Sequence, residues 1–368
     1  MKAAVLPALD TAVETHDDIE LAPPGPGEVR IKVVASGVCH SDLSVQNGTI
    51  PTPTPVVLGH EGAGVVEAVG EGVERVKVGD HVVLSFVPAC GECYECRHGQ
   101  PFICEKSASA ATGGLLDGTT RLTDAGAPLH QMANLGTYGN YAIVPEISTV
   151  VIPDDIPLEV AALIGCGVLT GVGAALNTAS IEEGDTVVVI GCGGVGLNVI
   201  QGAKIAGAGK IIAVDRFESK LEMARQFGAT DTVTADDGDP VAAVMGLSEG
   251  RGADVAFEVI GLGPTIEQAI NSTRKGGEVV LVGVPRLDVM VNLNAAFTWL
   301  YLAKTIKGCW YGSSDVHRDV PRLLDLWKQG ELKLEELISK EITVDDVNEA
   351  FADMQAGTVA RSVIRHTH

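Results

Sequence analysis

The spacing of apolar and polar positions changes twice along the chain. From Lys2 to Val150, short β-type runs (Val29 to Val34, Gly64 to Val69, Asp80 to Leu84) are separated by glycine and proline, which predicts an antiparallel, barrel-like β domain. From about Val168 to Trp310, apolar runs at Thr186 to Ile190, Lys210 to Asp215, Val255 to Ile260 and Glu278 to Val284 alternate with helical stretches at Val195 to Ala206, Lys220 to Phe227 and Ile266 to Ser272. That alternation predicts a parallel, doubly wound α/β sheet. The tail from about Tyr311 holds two amphipathic stretches, Val320 to Gln329 and Asp345 to Gln355, and a strand-like Ser362 to Ile364, and is expected to rejoin the first domain. The most apolar window, Val160 to Leu176, is interrupted by glycine and threonine and falls short of the ~20 residues of a spanning helix, so a buried helix and turn are expected there. Ala108 to Gln131 is the longest stretch without periodicity and is read as a loop.

Composition narrows the class. A length of 368 residues suggests two domains, and 26 Lys+Arg against 48 Asp+Glu give a formal charge of −22. An acidic chain without a basic run has no footprint for nucleic acid and is repelled by anionic membranes, so neither is an expected partner. With no targeting pattern at the N-terminus, a cytoplasmic location is expected. There the eight cysteines should be reduced, and four of them crowd one short segment, which points to metal. Glycine, at 44 residues, exceeds its usual share of about 7%, so tight turns and close backbone approaches are expected.

Two motifs carry chemistry by themselves. Gly191-Cys192-Gly193-Gly194-Val195-Gly196 follows an apolar strand and opens a helix, with Asp215 nineteen residues after Gly196 at the end of the next strand. In that context the glycines bring backbone close to a pyrophosphate, the helix N-terminus meets its charge, and the acid accepts the ribose hydroxyls of an adenosine. Asp215 would repel a 2′-phosphate, which favours NAD over NADP, although Arg216 beside it could partner such a phosphate. The second motif is Cys90-x2-Cys93-x2-Cys96-x7-Cys104, four thiolates on one loop, the pattern of a closed structural zinc site. His98 inside it is superfluous as a ligand. A third set, Cys39-His40-Ser41-Asp42, Gly59-His60-Glu61-Gly62 and Gly165-Cys166-Gly167, is dispersed, and spacing alone does not assemble it.

Taken together these strings resemble the signatures of the zinc-dependent medium-chain alcohol dehydrogenases, in order and over essentially the whole chain. The matching segments are Gly37 to Asp42, Gly59 to Gly64, the four-cysteine loop, Gly165 to Gly171 and Gly193 to Leu197. The resemblance implies a GroES-like catalytic domain (1–167 and 311–368) around an inserted Rossmann NAD-binding domain (168–310), with the active site in the cleft between them. It implies two zinc ions per chain: a catalytic one on Cys39, His60 and Cys166 with Glu61 as alternate ligand, and a structural one on Cys90, Cys93, Cys96 and Cys104. Ser41 would take the alcohol proton and Asp42 would accept the free N–H of His60. For the cofactor, the resemblance places Thr170 and Val195 at the nicotinamide, Val282 and Val284 at its carboxamide, Lys220 at the ribose, and His40 and Arg361 at the pyrophosphate. Where several animal members end the proton relay in a histidine, three residues after the relay hydroxyl, this chain has Ser44.

The implied reaction is hydride transfer between NAD and a primary alcohol/aldehyde pair, with aromatic or allylic alcohols as candidates. Alternatives are a thiol-formaldehyde adduct as substrate, or tightly held NAD reoxidised by an external acceptor; a non-catalytic NAD-binding protein is disfavoured by the intact zinc set. The loop containing Leu116 to Arg121 is of the long type and resembles the dimeric branch, so a homodimer is expected, with a tetramer as the alternative. Val289 to Leu302 is read either as the dimer surface or as a buried core helix.

Overall fold

The computed structural model describes residues 1–368. The chain forms two compact units: Met1–Cys166 with Asp315–Trp327 and Leu334–His368, and Gly167–Ser314 with Lys328–Lys333. The second unit therefore takes more of the tail than the expected boundary at 310/311 allows. Asn177 Nδ2 donates to the Gly312 carbonyl at 3.3 Å, and Gln201 both donates to the Lys333 carbonyl at 3.1 Å and accepts from its N–H at 2.8 Å.

The first unit is built on the long strand Glu28–Val38, which pairs antiparallel with Glu61–Val69, Tyr141–Pro145 and Arg361–Arg365. Its register sets Gly37 opposite Glu61 and Val38 opposite Ser362. A second sheet gathers Ala3–Leu6, Glu14–His16, Val56–Val57 and Ala127–Gln131. Leu6, Leu58, Tyr138, Phe351 and Ile364 share one core, which is how the C-terminal helix Val347–Ala356 is held to the N-terminal strands. The stretch read as a loop is more ordered than expected. Glu105–Thr112 is a run of 3-10 turns, and Leu122–Asp124 pairs with Ala127–Gln131 in a tight hairpin whose arms are too short to show a two-residue period.

The second unit has six parallel strands in the order Asp231–Thr234, Lys210–Asp215, Thr186–Ile190, Ala253–Glu258, Thr273–Leu281, Thr305–Gly308. The chain winds outward in both directions from Thr186–Ile190, so a ligand crevice is expected beyond the carboxyl ends of that strand and Ala253–Glu258. Both faces of the sheet are covered, hence the unbroken Val187-Val188-Val189-Ile190 run.

In place of a helix and turn, Leu158–Thr178 is one helix of 21 residues, long and apolar enough by composition to cross a membrane, yet with 89% of its most apolar window buried inside the protein. It is a core helix. Its glycines do not break it, because they serve close approach: a Cβ at Gly165 would lie 2.6 Å from the Leu84 carbonyl oxygen, and one at Gly171 2.5 Å from that of Val195. The helix widens into π turns at Ile164–Val168 and Ala174–Thr178, and the first of these carries Cys166.

Candidate active site

Two groups of metal-ligating side chains stand out, both in the first unit. The ligand atoms of Cys90, Cys93, Cys96 and Cys104 all lie within 4.8 Å of one another. Cys90 and Cys96 have their Sγ atoms 3.9 Å apart, as do Cys93 and Cys104. A disulfide needs about 2.05 Å, whereas a tetrahedron with ~2.3 Å metal–sulfur bonds has sulfur edges of about 3.8 Å. The four thiols therefore fit a closed zinc site. His98 stands outside the set, its Nδ1 2.7 Å from the Tyr94 carbonyl and its ring stacked on Tyr94 at 4.0 Å.

The second group is Cys39, His60, Glu61 and Cys166, again with ligand atoms within 4.8 Å and all four buried. Cys39 sits where the strand Glu28–Val38 ends and the helix His40–Gln46 begins; His60 immediately precedes the strand Glu61–Val69. The imidazole is oriented from behind. Its Nδ1 lies 3.1 Å from Asp42 Oδ1, which as a carboxylate oxygen can only accept, so the proton sits on Nδ1 and the Nε2 lone pair is left facing the cysteines. Nε2 is buried and has no hydrogen-bond partner. A buried, unpartnered imidazole nitrogen between two thiols fits a metal ligand, and three such donors leave a fourth position open.

Asp42 is itself fully buried and takes four donors. Oδ1 accepts from Gly59 N–H at 3.1 Å as well as from His60; Oδ2 accepts from Cys39 N–H and from the Tyr138 hydroxyl, both at 2.9 Å. The sequence did not point to Tyr138, which lies in a Gly-Thr-Tyr-Gly turn without periodicity. Ser41 Oγ lies 3.8 Å from Cys39 Sγ, while His40 is exposed. Arg361, expected at the pyrophosphate, is buried with its Nη2 3.4 Å from Glu61 Oε1 and its Nη1 donating to the Val38 carbonyl at 3.2 Å. Burial pushes the Glu61 carboxyl up to about 7 despite that guanidinium.

The second unit holds the glycine turn. Gly191, at φ +98°, makes the left-handed exit from the strand Thr186–Ile190, and the helix Gly194–Ile205 follows. A Cβ at Gly196 would lie 1.9 Å from the Gly191 carbonyl oxygen, while one at Gly193 would meet nothing within 4 Å. The turn is packed on one side and open on the other, as a backbone cradle for a pyrophosphate requires. Asp215 braces it: Oδ2 accepts from Cys192 N–H at 2.8 Å and Oδ1 from Phe217 N–H at 3.1 Å. Val195, Thr170 and Lys220 are half-buried, Val282 is buried and Val284 exposed, and Lys220 Nζ lies 5.1 Å from the Phe217 ring centre. Arg216 is exposed, its Nε 3.3 Å from Asp236.

Glu258 was also missed, although an acid ending an apolar strand was a legible signal. It is fully buried, and its Oε1 accepts from Ile260 N–H, Gly261 N–H and Thr265 Oγ at 2.7 to 2.9 Å, which shapes the loop beside Gly191.

Comparison with known proteins accords with these two halves. Residues 25–154 match the family model described as alcohol dehydrogenase GroES-like domain, and residues 194–329 match the zinc-binding dehydrogenase model. An NDMA-dependent alcohol dehydrogenase of Amycolatopsis methanolica is 41% identical over 100% of this chain and 99% of its own length. The class-3 alcohol dehydrogenase of Myxine glutinosa is 40% identical over 95% of this chain and 93% of its own. Among solved structures, benzyl alcohol dehydrogenase from Acinetobacter calcoaceticus superposes with a TM-score of 0.93 at 34% identity, covering 100% of this chain and 99% of that one. A GroES-like unit with a buried Cys–His–Cys donor set, a parallel-sheet unit with its glycine turn, and full-length identity of about 40% lead to one conclusion: the chain belongs to the zinc-dependent medium-chain alcohol dehydrogenase family.

Proposed function

We propose that this alcohol dehydrogenase transfers a hydride between NAD and a primary alcohol/aldehyde pair, with aromatic or allylic alcohols as its substrates, at a centre formed by Cys39, His60 and Cys166. The observation that carries the reading is the unpartnered, buried Nε2 of His60 set between two thiols. Zinc on those donors supplies Lewis acidity that makes an alcohol oxygen easier to deprotonate, and NAD supplies the hydride acceptor. The chain's own residues do the rest. Asp42 holds His60 in the tautomer that frees Nε2, Ser41 receives the alcohol proton, and Glu61, its carboxyl pushed up by burial, stands behind the centre as alternate ligand. Gly191, Gly193, Gly194 and Gly196 bring backbone N–H groups to the pyrophosphate with His40 and Arg361. Val195, Thr170, Val282 and Val284 place the nicotinamide, and Lys220 and Asp215 the ribose. A buried carboxylate at that ribose, with Arg216 turned to Asp236, favours NAD over NADP.

Two alternatives concern the partner substrate. One is oxidation of a thiol-formaldehyde adduct; the other is a tightly held NAD reoxidised by an external acceptor, for which the relative described as NDMA-dependent makes NDMA the acceptor to try. A steady-state panel separates them: alcohols and aldehydes with NAD and with NADP, formaldehyde with low-molecular-weight thiols, and each alcohol again with NDMA. Turnover of benzyl alcohol with NAD alone is expected. Activity only with thiol and formaldehyde, or only with NDMA, would replace the leading reading by the corresponding alternative.

A homodimer is part of the same proposal. Leu287, Met290, Phe297, Leu300 and Tyr301 are exposed on the second unit, Leu287 at 85% and Met290 at 82%, so this segment is no buried core helix in a single chain. Covering it with a second copy removes these apolar side chains from water. Leu300→Asp is expected to give monomers by light scattering where the unaltered protein gives dimers.

A further inference from the structure

We propose that Tyr138 is a positioning residue for the Cys39–His60–Cys166 centre, acting through Asp42 to hold both ligand-bearing segments and to set how strongly His60 Nε2 donates to a metal. The proposal rests on the reading of those three side chains as metal ligands.

Asp42 touches each of two ligand segments at its backbone: Oδ2 accepts from the N–H of Cys39 itself, and Oδ1 from that of Gly59, the residue before His60. The third contact is the His60 ring, and the fourth is Tyr138 Oη. Only the last comes from outside the ligand segments. A carboxylate bound to imidazole N–H pushes electron density toward the opposite nitrogen, and each further donor on that carboxylate withdraws some of it. The phenol therefore competes with His60 for the charge of Asp42. Without it, Asp42 would bind the imidazole more strongly, Nε2 would donate more, and a metal there would be a weaker Lewis acid.

The position of Oη is held from several sides. Tyr138 N–H donates to the Leu58 carbonyl at 2.9 Å, its carbonyl accepts from Ala4 N–H at 3.2 Å, and Thr137 N–H donates to the Gly59 carbonyl at 3.0 Å. The Thr137 hydroxyl is 2.6 Å from Ser36 Oγ, which donates to the Glu61 carbonyl at the same distance. The ring packs so closely on Gly59 that a Cβ there would come within 2.4 Å of Tyr138 Cδ1. Two residues from the His60 segment and one N-terminal strand thus fix a side chain that is fully buried, and the hydroxyl has one acceptor, Asp42.

The test replaces the zinc of the second centre by Co2+ in the full-length protein and reads the visible ligand-field absorption and the Co2+ affinity. Three proteins are compared: unaltered, Tyr138→Phe, and protein with 3-fluorotyrosine placed at 138, whose hydroxyl is a stronger donor on nearly the same ring. The expected result is a band shift in Tyr138→Phe and a shift of opposite sign with fluorotyrosine. Co2+ affinity should rise in the Phe variant, where Nε2 donates more, and fall with fluorotyrosine, in each case by less than the ~10- to 100-fold typical when a direct partner of a ligand is removed. Unchanged spectra in both, or shifts of the same sign in both, would overturn the proposal, the latter by showing that packing alone is felt. If Tyr138→Phe does not fold, fluorotyrosine alone decides between a shift and none. Cobalt absorption that survives Cys166→Ala in otherwise unaltered protein would instead refute the ligand assignment, a failure distinguishable because it involves no change at 138.

Discussion

Asp42 concentrates the chemistry of the first unit in one side chain. A fully buried carboxylate is costly unless its charge is met, and here four donors meet it, two of them on the backbones that carry Cys39 and His60. Asp42→Asn keeps the shape but loses the charge that selects the imidazole tautomer, so metal affinity at the second centre should drop about 10- to 100-fold, as read by competition with a chelator. An unchanged affinity would show that the tautomer is set some other way. At position 44 the side chain is a serine hydroxyl, which is no base near neutrality; Ser44→His is expected to raise alcohol oxidation below pH 8 more than above it, and a turnover profile of unchanged shape would count against a relay through that position. At this scale the sequence was most legible where chemistry is encoded in residue type. Four cysteines at close spacing announce metal, and the family resemblance picked out Cys39, His60, Cys166 and Asp42. Tyr138 was illegible because its partner, Asp42, is 96 residues away and only the pairing of distant strands brings them together.

Elements matter here through how they end. The strand Glu28–Val38 stops at Cys39, the strand Glu61–Val69 starts one residue after His60, and a π turn at Ile164–Val168 presents Cys166 from a helix. The glycine turn works the same way for the cofactor. Gly196→Ala places a methyl 1.9 Å from the Gly191 carbonyl, so the turn must open; NAD affinity by titration calorimetry should fall at least tenfold while zinc content stays the same. Equal affinity would show that the pyrophosphate does not lie on this turn. The helix Leu158–Thr178 shows why the sequence underdetermined an element. Glycine lowers helix propensity by about 1 kcal/mol per residue, so four of them read as a turn, yet each close approach they permit adds packing that local propensity does not contain. The parallel sheet, by contrast, was plain from its alternation of strand and helix, because burial on both faces leaves strands that are apolar throughout.

The whole molecule is two units interleaved in sequence, and the tail closes the first. Within that tail His366 is half-buried, its Nε2 donating to the Thr137 carbonyl at 3.0 Å, and desolvation pushes its pKa down to about 4. The unfolded chain binds a proton near 6.5 while the folded chain does not, so the stability associated with neutral His366 is complete above about 6.5 and is lost as the pH falls toward 4. The slope should approach, but stay below, about 1.4 kcal/mol per pH unit, since the ring is only partly shielded from water. His366→Gln should flatten that part of the urea-midpoint profile between pH 7 and 4, and parallel profiles for the two proteins would contradict the assignment.

If the Cys39–His60–Cys166 centre is the seat of the reaction, losing one of its ligands must abolish turnover. The most direct test is to measure zinc per chain and NAD-linked turnover of benzyl alcohol on the same preparations of unaltered protein and of Cys166→Ala. Two zinc ions and turnover in the first, one zinc and no turnover in the second, with NAD binding nearly unchanged, is the predicted result. Turnover that survives in Cys166→Ala, or an unaltered protein that turns over with only one zinc, would contradict it.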